Sequence, residues 1–337
     1  MSEDINRQVI LATRPEGYPT EDNFGLIETP IPELRDGQVL LRTIWLSLDP
    51  YQRGRMNDAA SYASPLRIGD AIVGGTVCKV VASRRQDLTE GQIVQGMTGW
   101  QTHAISDGRN LRKLDPQFAP VSTALGVLGM PGLTAYHGLF EIGQPKLGDT
   151  VVVSAASGAV GAIVGQLAKM MGCHVVGIAG SKQKIDYIVD ELGFDSGINH
   201  KTEDVFNRLT VTCPRGVDVY FDNVGGPILD AVLEVVAESA RIALCGQISQ
   251  YNVQTAEGGV RNLRNLVGRR VRMEGFLVGQ FANRSEEARQ RLALWVNSGA
   301  LKYKEDVVEG LENAPRAFIG LLNGANFGKL LVKVSDS

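Results

Sequence analysis

The 337-residue chain sets 34 Lys and Arg against 37 Asp and Glu, a formal charge of -3, with 44% hydrophobic and 21% charged residues. This is a globular composition, long enough for two domains with sizeable cores. A near-neutral balance without any Lys/Arg-rich run gives no field that would gather phosphate backbones, so nucleic acid is not an expected partner.

The four cysteines, Cys78, Cys173, Cys213 and Cys245, are scattered without a C-x-x-C pair or a secretory start, which predicts a reduced, cytoplasmic protein. Strand-like segments punctuated by turn residues, at 38–45, 72–82 and 92–96, make the first part to about residue 120 a β-rich unit. Two uncharged runs, 119–140 and 151–168, have the length of a membrane span, but Pro120 and Pro131 interrupt one and Ser154, Ser157, Gln166 and three glycines the other. Both suit strands, turns and helices better, and no membrane association is expected. From Gly148 onward, short apolar runs at 150–155, 174–179, 217–223, 241–245 and 271–278 alternate with helical periodicity. That alternation predicts an α/β unit with a parallel, doubly wound sheet. A helical stretch at 285–298 follows, and the tail at 310–334 offers one more helix and a final strand that can return to the first unit.

The central motif is Ala155-x-x-Gly158-x-x-Gly161, set directly after a buried strand. Ala155 stands where the dinucleotide fingerprint has its first glycine. Beyond it Val160, Ile163, Val164, Leu167, Ala168 and Met171 form the apolar stripe of a helix packed on a sheet. The loop therefore feeds a helix N-terminus, whose open amides and positive dipole end attract a pyrophosphate; Gly158 leaves room for its approach and Gly161 lets helix and strand pack closely.

An NAD site wants an acidic residue at the end of the second strand, but the chain reads Gly177-Ile178-Ala179-Gly180-Ser181-Lys182-Gln183-Lys184, with no carboxylate before Asp186. Ser181 and the lysines can donate to a 2′-phosphate, which favours NADP(H), with Lys184 the better placed. His103, His137, His174 and His200 have no Cys or His at ligand spacing, so no zinc set is expected. Cys245 has no accompanying base and reads as a packed thiol rather than a nucleophile.

Several further motifs carry a family resemblance: Leu48-Asp49-Pro50-Tyr51, the stretch from Gly129 to Tyr136, the phosphate loop, the Asp222-to-Gly226 turn, Cys245-Gly246, Tyr251-Asn252 and Asn326-Phe327-Gly328-Lys329. Over nearly its whole length the chain resembles the zinc-independent medium-chain dehydrogenases/reductases, in the leukotriene B4 dehydrogenase/prostaglandin reductase branch. The resemblance implies a GroES-like, β-rich catalytic domain over 1–123, completed by 300–337, and a Rossmann NADP(H)-binding domain over 124–299, with the cofactor in the cleft between them.

The resemblance assigns Gly158, Ala159, Val160 and Gly161 to the pyrophosphate of NADPH, and Gly180, Ser181 and Lys184 to the 2′-phosphate side. His200 stands where relatives often have a tyrosine, so its grip would depend on pH. Thr134, Asn223, Cys245, Gly246, Tyr251, Phe276, Leu277, Val278 and Asn326 follow along the adenosine, ribose and nicotinamide. Tyr51 and Tyr62 are candidate walls of the substrate pocket, and the Tyr251 hydroxyl is the candidate donor to a substrate carbonyl. The implied activity is reduction of the C=C bond of α,β-unsaturated ketones and aldehydes, curcumin-like enones and alkenals among them, by a homodimer. A quinone reductase and a noncatalytic NADPH-binding protein are the competing readings.

Overall fold

The computed structural model describes residues 5–59, 61–253 and 259–336. The chain divides into two compact units: Met1–Leu125 with Glu305–Asn326 and Leu330–Ser337, and Gly126–Lys304 with Phe327–Lys329.

In the first unit β1 (Ile5–Leu11) and β2 (Phe24–Pro30) form an antiparallel pair. Five strands of a seven-stranded sheet follow, β3 (Val39–Ser47), β4 (Thr76–Ser83), β5 (Ile93–Gly96), β6 (His103–Ser106) and β7 (Arg112–Leu114), the other two coming from the tail. Burial alternates along β3 up to Thr43, where a register shift against β4 turns both Thr43 and Ile44 inward. The strand expected at 72–82 begins only at Thr76. Gly74 precedes it in a spot where a Cβ would lie 3.0 Å from both Leu46 and Gln52, so the backbone is pressed against its neighbours there instead of continuing a ladder. The core centres on Trp100, stacked on Phe24 at 5.8 Å and edge-on to Phe318 at 5.6 Å.

The second unit holds six parallel strands: β8 (Thr150–Ser154), β9 (His174–Ala179), β10 (Ser196–Asn199), β11 (Val217–Asp222), β12 (Val236–Leu244) and β13 (Arg272–Gly275). Their order, β10-β9-β8-β11-β12-β13, is that of the doubly wound dinucleotide fold, whose strand order reverses between β8 and β11. Strand β8 is buried at every position, as a central parallel strand covered on both faces must be. Close packing depends on missing side chains: a Cβ at Gly165 would fall 1.8 Å from the Phe194 ring, and one at Gly177 would meet Ile188 at 2.4 Å. The tail adds β14 (Glu305–Glu309) and β15 (Lys329–Lys333), with β15 running antiparallel to β3.

Two strand expectations in the second unit change as well. Strand β12 starts at Val236, ahead of the expected 241, because the polar Glu238 and the left-handed Ser239 (φ 59°) interrupt its apolar run. Strand β13 stops at Gly275, since Phe276 turns its ring inward against Phe221 at 6.1 Å. Among the described residues no helix is long and apolar enough to cross a membrane.

Candidate functional site

The loop after β8 is wound tightly. Ala155 takes a left-handed φ of 49°, a conformation glycine adopts without strain and alanine holds at a cost of about 1–3 kcal/mol. The loop geometry explains the fingerprint's usual glycine there. Ala156 N–H donates to Ile178 O at 3.0 Å and Gly158 N–H to Ala155 O at 2.9 Å. The next amide to find a backbone acceptor is Ala162, on Gly158 O at 3.1 Å, so the amides of Ala159, Val160 and Gly161 make no backbone hydrogen bond among the described residues. They open the ten-residue helix Gly161–Met170, whose N-terminal end is electropositive. A Cβ at Gly161 would lie 2.4 Å from Ala155 O, so a side chain there is impossible; at Gly158 the same atom would be 3.1 Å away with nothing else within 4 Å. This is a cradle with three unspent donors and an open approach, and it fits a pyrophosphate.

At the end of β9, Ser181 caps the next helix by accepting from Lys184 N–H at 3.3 Å. Lys182 is ion-paired with Asp186 at 2.7 Å, a solvent-exposed i,i+4 pair. Lys184 and His200 come together, because β10 pairs with β9 and carries His200 back beside Gly180: a Cβ on Gly180 would sit 3.1 Å from His200 Nε2 and 3.3 Å from Lys201 Cε. Desolvation, then the charges of Lys201 and Lys184, hold the His200 pKa below the usual imidazole range. His200 is therefore neutral at pH 7, and its pH dependence falls on the acid side. Lys201 is the residue that sequence reasoning missed. Its signal was the short strand Ser196–Asn199, too polar to register as an apolar run.

At the carboxyl ends of β11 and β12 one buried carboxylate organises the turns. Asp222 Oδ1 accepts from Tyr220 Oη at 2.8 Å, Ser154 Oγ at 3.1 Å, and the amides of Val224 and Gly225 at 2.9 Å each. Its backbone oxygen receives Cys245 and Gly246 N–H at 2.8 and 3.1 Å, so the two turns share one anchor. Asn223 donates Nδ2–H to Ser154 O at 2.7 Å, which ties it to the first strand. Tyr251 folds back over this edge: its hydroxyl oxygen accepts from Gln247 N–H at 3.4 Å and would lie 3.0 Å from a Cβ on Gly246.

Thr134 Oγ donates to Met130 O within its own helix at 2.7 Å. The Phe276 ring is packed inward, which leaves Leu277, 47% exposed, as the open side chain of the 276–278 stretch. Tyr51, Tyr62 and Asn326 belong to the first unit. Burial comes first in raising the Tyr51 phenol, and the charges of Asp49, Tyr62 and Arg55 also act on it, which places the two tyrosines and Arg55 in one neighbourhood. Arg55 donates to Ser64 O at 2.7 Å and so holds the 56–65 loop, of which Ala60 lies outside the described residues.

Burial pushes the Cys245 thiol up to about 12, with Asp222 adding to the effect, so this sulfur stays protonated. Among the described residues no group of three or more His, Cys, Asp and Glu side chains is arranged to hold a metal ion. His137 is instead stacked on Phe281 at 4.7 Å, and His174 faces Thr212 O at 3.0 Å.

Two family descriptions match the chain: "N-terminal domain of oxidoreductase" over residues 7–114 and "Zinc-binding dehydrogenase" over residues 159–295. The NADPH-dependent curcumin reductase of Escherichia coli is 47% identical over 335 residues, covering 98% of this chain and 97% of the relative. The NADP(+)-dependent 2-alkenal reductase of Nicotiana tabacum is 44% identical over 343 residues, covering 99% of each. The crystal structure of CurA from Vibrio vulnificus in complex with NADPH superposes with a TM-score of 0.95 at 48% identity, covering 98% of this chain and 100% of that one. With these similarities running along its full length, and a GroES-like and a Rossmann part both present, the chain belongs to the zinc-independent branch of the medium-chain dehydrogenases/reductases.

Proposed function

We propose that this protein is an NADPH-dependent reductase of the C=C bond of α,β-unsaturated ketones and aldehydes. The observation that carries the reading is the triple of unspent amides at Ala159–Gly161 together with the basic Lys184–His200–Lys201 cluster. The first supports a pyrophosphate and the second a 2′-phosphate, and relatives named for this chemistry share 44–47% of the sequence. The second unit is the cofactor-binding domain and the first the catalytic one.

When bound, NADPH supplies the hydride that the β-carbon accepts. Toward the phosphates and sugars of the cofactor the chain's own residues then have three tasks. The loop amides orient the pyrophosphate; Lys184 and Lys201 select the 2′-phosphate, with Gly180 and Ser181 lining its approach; the Asp222-anchored turns at Asn223 and Cys245-Gly246 support the sugar side. The Tyr251 hydroxyl donates to the substrate carbonyl oxygen, where negative charge builds as the hydride arrives. Tyr51 and Tyr62 form walls for the apolar body of the substrate, and Thr134, Leu277, Val278 and Asn326 flank the nicotinamide.

A panel of enals, enones, diarylheptanoids and quinones, each with NADPH and NADH, tests the reading. Enone and enal turnover with NADPH is expected to dominate. Faster turnover of quinones would make it a quinone reductase, and tight NADPH binding with no acceptor reduced would make it a binding protein.

Lys184→Ala and Lys201→Ala should each lower the NADPH:NADH affinity ratio about tenfold, because a charged hydrogen bond is worth about 1.5–3 kcal/mol and only NADPH uses it. Equilibrium binding gives the ratio directly. Because the His200 pKa is lowered in the free protein, protonation should add to the grip on a 2′-phosphate, and the wild-type ratio should rise on acidification. An unchanged ratio in both lysine variants would move the 2′-phosphate elsewhere.

The reading also includes a cytoplasmic homodimer that binds neither nucleic acid nor membrane. Strand β13 supports the dimer: it is the edge of its sheet, with Arg272 and Glu274 exposed, and an uncovered edge invites pairing with a second copy. A monomer mass by light scattering would refute it.

A further inference from the structure

We propose that residues 327–329 are a clamp that positions the phosphate loop, with Gly328 as its contact point. The inference rests on the cofactor reading above. The peptide unit joining Ser157 to Gly158 is hydrogen-bonded on both edges: Gly158 N–H donates to Ala155 O at 2.9 Å, and Ser157 O accepts from Gly328 N–H at 3.2 Å. Gly158 and Gly328 also form an isolated parallel bridge. A planar peptide held on both edges has one orientation. The three amides that follow it, at Ala159–Gly161, are therefore aimed before an anion arrives, which removes an ordering cost from binding.

The clamp is itself anchored to the loop's own helix. Lys329 N–H donates to Lys304 O at 2.8 Å, and the Lys304 ammonium lies 4.1 Å from the Phe327 ring centre and 5.3 Å from that of Tyr187. The two rings meet edge-on at 4.9 Å. Two residues before Lys304, Lys302 is gripped through both backbone groups by the Gln166 side chain, at 2.8 and 2.9 Å, and Gln166 lies within Gly161–Met170. Loop, helix, 302–304 and 327–329 thus close a circuit. Only glycine fits at its contact point, because Gly328 has a φ of 78° and a Cβ there would be 2.3 Å from Lys304 O.

Gly328→Ala is the test, with Gly324→Ala as comparator. Gly324 has a φ of 72° and nothing within 4 Å of an added Cβ, so it carries the backbone strain without the clamp. Well below the Tm, Gly328→Ala should weaken NADPH and NADH equally, about tenfold, keeping their ratio. In the cofactor-free protein it should also speed hydrogen exchange at the Ala159–Gly161 amides. Gly324→Ala should change neither. Native affinity and native exchange in Gly328→Ala, or the same losses in Gly324→Ala, would overturn the clamp. If Gly328→Ala does not fold, Lys304→Met takes its place: it removes the cation from the two rings and should raise loop exchange and both Kd values, whereas unchanged values would again overturn the clamp. Should the wild type bind neither cofactor, the cofactor reading fails, and the exchange comparison still decides whether 327–329 hold the loop.

Discussion

Gly158→Val should abolish measurable binding of NADPH and NADH together while the protein stays folded. The added Cβ would meet only Ala155 O, at 3.1 Å, so the fold has room for it. The branch beyond it would occupy the space through which a pyrophosphate reaches the amides of Ala159–Gly161. Each charge-assisted hydrogen bond is worth about 1.5–3 kcal/mol, and losing two costs at least about 10²-fold in affinity. Titration calorimetry measures the loss, and circular dichroism with a melting curve checks the fold. Gly161→Ala makes an instructive contrast, because its Cβ would lie 2.4 Å from Ala155 O and the cost would fall on folding itself. Native NADPH affinity in Gly158→Val would reduce the loop to a packing element and remove the central support for the proposed activity.

The second large effect is expected at Tyr251. Tyr251→Phe keeps the ring and removes the oxygen that rests on Gln247 N–H. If that hydroxyl stabilises charge on the substrate carbonyl, kcat should fall by about 10²–10³ while the KM for NADPH hardly moves, the pattern of a group used mainly in the transition state. A phenyl ring packed on the same turn would still support the cofactor side. A fall in kcat of less than about tenfold, or a rise confined to the KM for NADPH, would leave Tyr251 as a positioning residue of the Cys245-Gly246 turn.

What could be read in the sequence was whatever burial makes periodic. Strands β8, β9 and β11 are buried along most of their length, and their mainly apolar runs announced a parallel sheet nearly residue for residue. The tight turn after β8 was legible because glycine at 161 answers a steric demand, since a Cβ there would lie 2.4 Å from Ala155 O. The ends of β12 and β13 were not legible: a bulge and an inward-turning Phe276 obey tertiary packing, which leaves no local signature. Lys201 escaped for a related reason. Its relevance comes from the pairing of β10 with β9, a contact between strands that no spacing within the run 196–201 encodes. The role of Asp222 was equally hidden, since an aspartate at a strand end looks like any turn residue until its four donors are counted.

The interleaving of the two units bears on how the chain is made. The first unit buries Trp100 against Phe318 and pairs β3 with β15, so its core needs side chains from both ends of the chain. During synthesis at about 5–20 residues per second, the roughly 220 residues separating Trp100 from Phe318 take about 10–40 s to emerge. Through that interval the β3 edge and the Trp100 pocket stand open on the ribosome, while the second unit is completing its sheet. The GroES-like unit is thus the one that completes last, and truncation just before Glu305 should expose it to proteases while sparing most of the Rossmann unit. Limited proteolysis of ribosome-stalled chains can check this: a first unit already resistant before residue 305 emerges would show that it folds without its tail.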